Sequence, residues 1–143
     1  MTSEGSIDRR KLGEIVFNHP DRLERLEQIV HPFVAERIVG RLRQATKPVV
    51  VIEAIKLIEA GLSALCSEVW VVTSTKELQL ARLRASRGLT RSAALLRINA
   101  QPRQKQKAKQ AAVVFKNTGS LDDLRMQVEK EWARVQPPLL SQP

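Results

Sequence analysis

The chain has little of several things, and each shortage removes a class of structure or function. A single cysteine, Cys66, among 143 residues allows no internal disulfide and points to a reducing, cytoplasmic setting. It follows an apolar helix end and reads as a small core residue. With only two histidines beside it, a structural zinc site is not expected, and no metal ligand is assigned. No apolar run approaches eighteen residues, so neither a membrane-spanning helix nor a membrane partner is expected. The first residues, through Glu14, are polar and charged and lack the apolar region of a signal peptide. The six glycines stand at positions 5, 13, 40, 61, 88 and 119. None lies five residues ahead of another that is followed by Lys-Ser or Lys-Thr, so the Walker-type phosphate loop is absent from these residues.

Acidic residues are missing in one place above all. The net charge is +9, but from Leu78 to Ser120 there is no Asp or Glu and there are ten basic residues. The rest of the chain is close to neutral. The basicity therefore belongs to one segment, and that segment should meet something anionic. Arg82 and Arg87 flank the Gly88 break, and Arg91 and Arg97 lie beyond it. Paired guanidinium groups suit a polyphosphate, because each can bond two phosphate oxygens at once. The plainer alternatives are a solvated basic face or a nucleic-acid patch. The latter is disfavoured because Phe115 is the segment's only aromatic, so it has no stacking platform.

The chain is organised around Pro48–Ser74. Two apolar, β-branched runs, Val49–Ile52 and Val69–Thr73, lie either side of a helical segment, with almost no alternation. That pattern predicts strands buried on both faces of a parallel sheet, joined as a βαβ unit by a crossover helix. Ligands of such sheets bind beyond the carboxyl ends of the strands. Here those ends carry Glu53–Lys56 and Thr73–Thr75.

The remaining elements follow from caps and breakers. Asp8 caps a first helix bearing Leu12, Ile15 and Val16, which ends at Asn18-His19-Pro20. A second helix starts at Asp21, and Pro32 is read as opening a new one with His31 at the break. Ser74 and Glu77 have capping-box spacing for a helix ending at Gly88. Thr90 caps the next, Gln101-Pro102 breaks it, and a polar basic stretch Arg103–Gln110 follows. Val113–Lys116 is a third strand, and Asn117–Gly119 is a turn. Ser120 caps the last helix, with its buried stripe at Leu124, Val128 and Trp132. The tail from Gln136 is expected to be disordered. The fold class is α/β, with three strands interleaved with helices.

Several residues near these ends have a chemical reading and a plain one. His31 could contact a substrate or simply pack. Glu53 and Lys56 could face a cleft, whereas Glu59 reads as solvated. Asn117 and Gly119 could read a base edge or form an ordinary turn. Trp70 and Trp132 read as core.

Taken together in order, the chain resembles dephospho-coenzyme A kinase. The pieces that carry the likeness are Gly5–Arg9 with Leu12, Val16–Phe17, Pro20, Leu26–Pro32, the run Val49–Gly61 and Glu68–Val72. They continue with Gln79–Leu80, Arg82–Leu83, Arg87–Thr90, Arg97–Ile98, Gln101, Asn117, Gly119 and Ser120. The likeness covers Gly5 to about Trp132. It implies a P-loop nucleoside-kinase-like α/β/α fold of three layers, with a parallel sheet and a helical lid. It also implies one kinase domain over 1–143, with an acceptor-binding helical part near 21–47 and a basic lid near 82–110. The implied activity moves the γ-phosphate of ATP, with Mg2+, onto the 3′-hydroxyl of dephospho-coenzyme A, in coenzyme A biosynthesis. On this resemblance Arg82, Arg87 and Gln101 serve the ATP phosphates, Asn117 and Gly119 the adenine side, and His31, Glu53 and Lys56 the acceptor.

The departures from the family pattern are as informative. The family begins with a strand, the glycine-rich loop and its lysine, then a second strand and an Asp-Ala-Asp stretch. None of these is present, so no catalytic residue is assigned. Ser86 stands where many relatives have an arginine, and Ala111-Ala112 replaces Ala-Asp. In the family the phosphate-loop strand lies between the strands matching Val49–Ile52 and Val69–Thr73, so both would show an unpaired edge. The chain therefore reads as an incomplete copy, with a non-catalytic nucleotide-, coenzyme A- or nucleic-acid-binding remnant as the alternative function. Expressed alone, the 143 residues are expected to fold poorly and to leave dephospho-coenzyme A unphosphorylated. Soluble expression with cooperative unfolding and ATP-dependent turnover would overturn that expectation.

Overall fold

A computed structural model describes residues 5–135; the expected disordered tail lies outside them. Asp8 caps α1 (Arg9–Val16), its carboxylate accepting from the amides of Arg10 and Lys11. Pro20 occupies the first position of α2 (Pro20–Arg43), where its missing N–H costs nothing, and His19 supplies the first helical carbonyl. Asp21 in the first turn and Arg41 and Arg43 in the last complement the helix dipole.

α2 corrects one reading. It runs unbroken through Pro32, so His31 sits within a continuous helix and not at a break. Proline removes one hydrogen bond from the ladder. The carbonyl it leaves, that of Gln28, belongs to an exposed residue that water can serve.

The sheet brings the larger correction. It has two strands, β1 (Trp70–Thr73) and β2 (Val113–Lys116), paired in parallel with Trp70 opposite Val113 and Thr73 opposite Lys116. Both are the predicted strands. The other expected strand, Val49–Ile52, has no regular secondary structure and belongs to no ladder, so the βαβ pairing with Val69–Thr73 is not formed. A strand exists only through its neighbour's hydrogen bonds, and no described segment offers this one a partner. Nor is it buried on both faces, since Val51 is 75% exposed.

The expected crossover helix shrinks to one turn. Gly61, at φ +71°, closes it with paired bonds from Gly61 N to Ile58 O and from Leu62 N to Leu57 O. This is the Schellman arrangement, which a left-handed glycine permits. Buried Leu62 then opens a single 3-10 turn, Leu62–Leu65. Cys66 follows, only half-buried, with its thiol donating to Leu62 O.

Between β1 and β2 lie α3 (Lys76–Arg87), α4 (Arg91–Asn99) and a short α5 (Gln104–Ala108) within the stretch read as merely polar and basic. Thr75, not Ser74, caps α3, its hydroxyl accepting from Leu78 N. Gly88, at φ +60°, ends α3 with a bond to Arg84 O. Thr90 caps α4 through Ala93 N. After β2, Ser120 caps α6 (Leu121–Val135) as expected.

The described residues form two compact units. One combines the chain up to Val39 with Leu80–Gln101. Its packing includes buried Val16 and Ala94, and Arg97 over the Phe17 ring at 5.0 Å, beside Gly13. The other combines Gly40–Gln79 with Pro102 onward, and holds the sheet. Phe115 is its centre at 3% exposure, with Trp70 edge-on at 5.3 Å. Neither Trp70 nor Trp132 is fully buried.

In the sheet-bearing unit, Glu68 ties the start of β1 to α6. Its carboxylate accepts both terminal nitrogens of Arg134 at 2.7 Å and Trp70 Nε1 at 2.9 Å. The Arg134 hydrogen bonds, then that of Trp70, hold its pKa down at about 2 against an ordinary 4.5. A lowered carboxylate pKa stabilises the fold fully above the ordinary value, and that contribution fades as pH falls towards 2. Glu68→Gln should therefore lower the thermal midpoint at neutral pH. The difference from wild type should shrink below the ordinary carboxylate range and vanish only once the pH has fallen through about 2. Melting curves of both proteins across that range check this.

Candidate functional site

The carboxyl ends of β1 and β2 meet in a hydrogen-bonded corner built on Ser74. In the ladder, Asn117 N donates to Thr73 O at 2.8 Å. The Thr73 hydroxyl donates to Phe115 O at 3.1 Å, and the Ser74 hydroxyl to Asn117 O at 3.0 Å. Ser74 is thus freed from the capping role its spacing suggested, and joins the two strand ends instead.

Alternation along a parallel strand turns the Ser74 backbone away from β2, and a glutamine receives it there. Gln104 Oε1 accepts from Ser74 N at 2.8 Å while Gln104 Nε2 donates to Ser74 O at 3.0 Å. A carboxamide carries the same donor and acceptor as a peptide, so it closes the strand edge as a neighbouring strand would. Gln79 Nε2, from α3, also donates to Ser74 O at 3.0 Å. The far edge of β2 is closed in the same way, Gln127 of α6 bonding both Lys116 N (2.9 Å) and Lys116 O (3.1 Å).

One turn beyond Gln104 on α5, Lys107 reaches the loop that follows the Val49–Ile52 run. Its ammonium donates to Ile55 O and pairs with Glu59 at 3.3 Å. Glu59, read from the sequence as solvated, is exposed and also serves as the partner of Lys107. The lysine side chain is 15% exposed, so this member of the basic segment is spent inside the protein. A groove of about 430 Å³ runs alongside, between Ile58, Pro102 and Lys109.

The residues singled out from the sequence fall into both units. In the sheet-bearing unit, Asn117 is half-buried in the Ser74 corner, Gly119 is exposed, Glu53 lies exposed in the irregular segment after Ile52 and Lys56 is half-buried in the following turn. In the other unit, Arg82 and Arg87 lie on exposed positions of α3, Gln101 is exposed just beyond α4, and His31 is half-buried in α2. Ser86 donates to Arg82 O at 2.7 Å. Arg97 is absorbed by its own surroundings, stacked on Phe17 and bonded to Ala93 O at 3.0 Å. The sequence reading missed Gln104, Lys107 and Gln127, whose partners lie in distant segments or on other elements. Their only local signal is a polar side chain in a short or amphipathic helix.

Gly119 has a structural requirement of its own. Asp123 accepts from the Ser120 hydroxyl and from Ser120 N at 2.7 and 2.8 Å, which holds its carboxyl below the usual range. A Cβ on Gly119 would stand 2.5 Å from Asp123 Oδ2.

Parallel strands joined by a helical crossover, with polar groups gathered at their carboxyl ends, place the protein in the α/β class. The family model for dephospho-CoA kinase matches residues 1–123. A dephospho-CoA kinase of Dehalococcoides mccartyi is 40% identical over 132 residues, 90% of this chain and 67% of that protein. One from Geobacter sulfurreducens is 40% identical over 137 residues, 94% of this chain and 70% of its own length. A Thermus thermophilus crystal structure superimposes with a TM-score of 0.72 at 34% identity, covering 93% of this chain and 70% of that one. A dephospho-CoA kinase structure from Campylobacter jejuni gives 0.57 at 31% identity, covering 94% and 68%. The chain belongs to the dephospho-CoA kinase family. It spans about two thirds of the length of the curated relatives it matches.

If Gly119 is needed for the approach of Asp123, Gly119→Ala should lower the thermal midpoint by about 2–4 °C, the usual effect of losing one cap in a domain of this size. Added to Asp123→Ala, the same change should do almost nothing, because the interaction it disturbs is already gone. Melting the two single variants and the double variant tests the coupling.

Proposed function

We propose that this chain carries the lid and acceptor-side part of an ATP-dependent dephospho-coenzyme A kinase. That activity places the γ-phosphate on the 3′-hydroxyl of dephospho-coenzyme A, in coenzyme A biosynthesis in the cytoplasm. We further propose that residues 1–143, contrary to the poor folding expected from the sequence, fold alone and bind the two substrates without transferring phosphate. The observation that carries the reading is the family match over residues 1–123, which embraces both the strand-end corner and the acid-free crossover. No described helix is long and apolar enough to cross a membrane.

Phosphoryl transfer gains chiefly from positioning and charge neutralisation. Arg82 and Arg87 on α3 are suited to the ATP phosphates, with Gln101 beyond α4. Asn117 and Gly119 at the end of β2 serve the adenine side, and His31, Glu53 and Lys56 the acceptor. Magnesium would accompany ATP. Among the described residues no group of three or more His, Cys, Asp or Glu could hold a metal ion.

Isothermal titration of the 143-residue chain with ATP and with dephospho-coenzyme A, beside a turnover assay, tests the proposal. Both ligands should bind, and no product should form. Arg82→Ala and Arg87→Ala should each weaken ATP about tenfold, the order of one charge-assisted bond, and leave dephospho-coenzyme A unaffected. Binding of neither substrate, with salt-dependent retention of duplex nucleic acid lost on changing Lys105 and Lys109, would instead favour the non-catalytic nucleic-acid reading.

A further inference from the structure

α5 is five residues long, yet it is fastened at two points to parts of the sheet-bearing unit far from it in sequence. Gln104 takes both backbone groups of Ser74, and the Ser74 hydroxyl in turn holds the Asn117 carbonyl. Three residues on, Lys107 takes the Ile55 carbonyl and the Glu59 carboxylate. The two bonded segments are those following the chain's two most apolar runs. Residues three apart lie on one face of a helix, so the two fastenings share a face of α5. The helix cannot shift without loosening one of them.

We propose that α5 is a two-point tether in which Gln104 and Lys107 are positioning residues, each holding one substrate-bordering loop in place. This rests on the substrate sides proposed above: Gln104 steadies the nucleotide-side corner through Ser74 and Asn117, and Lys107 steadies the acceptor-side loop that contains Lys56. Lys107 acts through Ile55 and Glu59 and touches no substrate itself. A primary ammonium fits this task because it can serve a neutral carbonyl and a carboxylate at once. The other basic residues of α5 and its flanks have no such assignment, which makes Lys105 a matched control of the same charge on the same helix.

The test combines amide hydrogen exchange with substrate binding on the full 143-residue chain. Lys107→Met should speed exchange across Ile55–Gly61 about tenfold, the order of one lost hydrogen bond to a charged group, while Ser74 and Asn117 keep their wild-type rates. It should weaken dephospho-coenzyme A by a similar factor and leave ATP unchanged. Lys107→Arg should recover most of both losses, and Lys105→Met should cause neither. Gln104→Ala should show the converse split, with faster exchange at Ser74 and Asn117 and weaker ATP binding. The tether is overturned if Lys107→Met and Gln104→Ala loosen both loops equally, if neither changes exchange, or if Ile55–Gly61 is unprotected in the wild type. Should the wild type bind neither substrate, the proposed function fails, while the exchange measurements still decide the tether on their own.

Discussion

A parallel pair of strands cannot be closed by a turn, because the second strand must begin where the first began. That constraint governs the chain from Thr73 to Val113. Returning to the start of the ladder takes three helices, α3, α4 and α5. Nearly all of the acid-free, basic stretch is this return path. The segment's charge and its topology are therefore one feature: a crossover that leaves the sheet at the carboxyl end of β1 and carries arginines and lysines before it comes back. Within it, Arg97 and Lys107 are committed internally, to Phe17 and to the Ile55–Glu59 loop. A basic run in a sequence thus mixes charges that build the fold with charges that face outward.

Few apolar side chains are fully enclosed. Among the described residues the buried ones are Val16, Leu62, Ala94 and Phe115, while Val50, Val51, Val72 and Phe33 stand well exposed. Hydrophobic burial scales with the area removed from water, so polar fastenings carry an unusual share of the order here. The Ser74 corner, the Gln127 bonds to Lys116, the Lys107 pairings and the Glu68–Arg134 fork each join segments distant in sequence or different elements. Each is a small contribution, and together they fix which loop lies beside which.

What could be read from the sequence was local. Asp8, Thr90 and Ser120 cap the helices they were expected to cap, and Gly88 ends α3, because a cap's chemistry lies within three or four residues of the backbone it serves. β2 was legible as a β-branched run followed by a turn. Val49–Ile52 has the same composition and is not a strand, because composition cannot supply a neighbour. Ser74 and Thr75 are adjacent hydroxyls, and only the position of Asn117 decides which of them caps α3. Pro32 does not break α2, because one missing bond on an exposed face of a long helix is tolerated. Gln104 and Lys107 were illegible for a different reason. Their partners lie 30 and 52 residues away, and no spacing rule connects a carboxamide to a backbone it meets only after folding.

The paired glutamines have a consequence for which side chains the two positions can accept. Gln104 and Gln127 each stand in for a peptide unit, giving and receiving one hydrogen bond at the outer edge of a strand. Only asparagine and glutamine present that donor and acceptor together on one planar group, and asparagine is a methylene shorter. Glutamate has the right length but would face a carbonyl with a charged oxygen, and leucine or methionine would leave both backbone groups unserved. The sheet thus has, in effect, two further half-strands written as side chains, and a spontaneous loss of ammonia from either amide would erase one of them without changing the length of the chain.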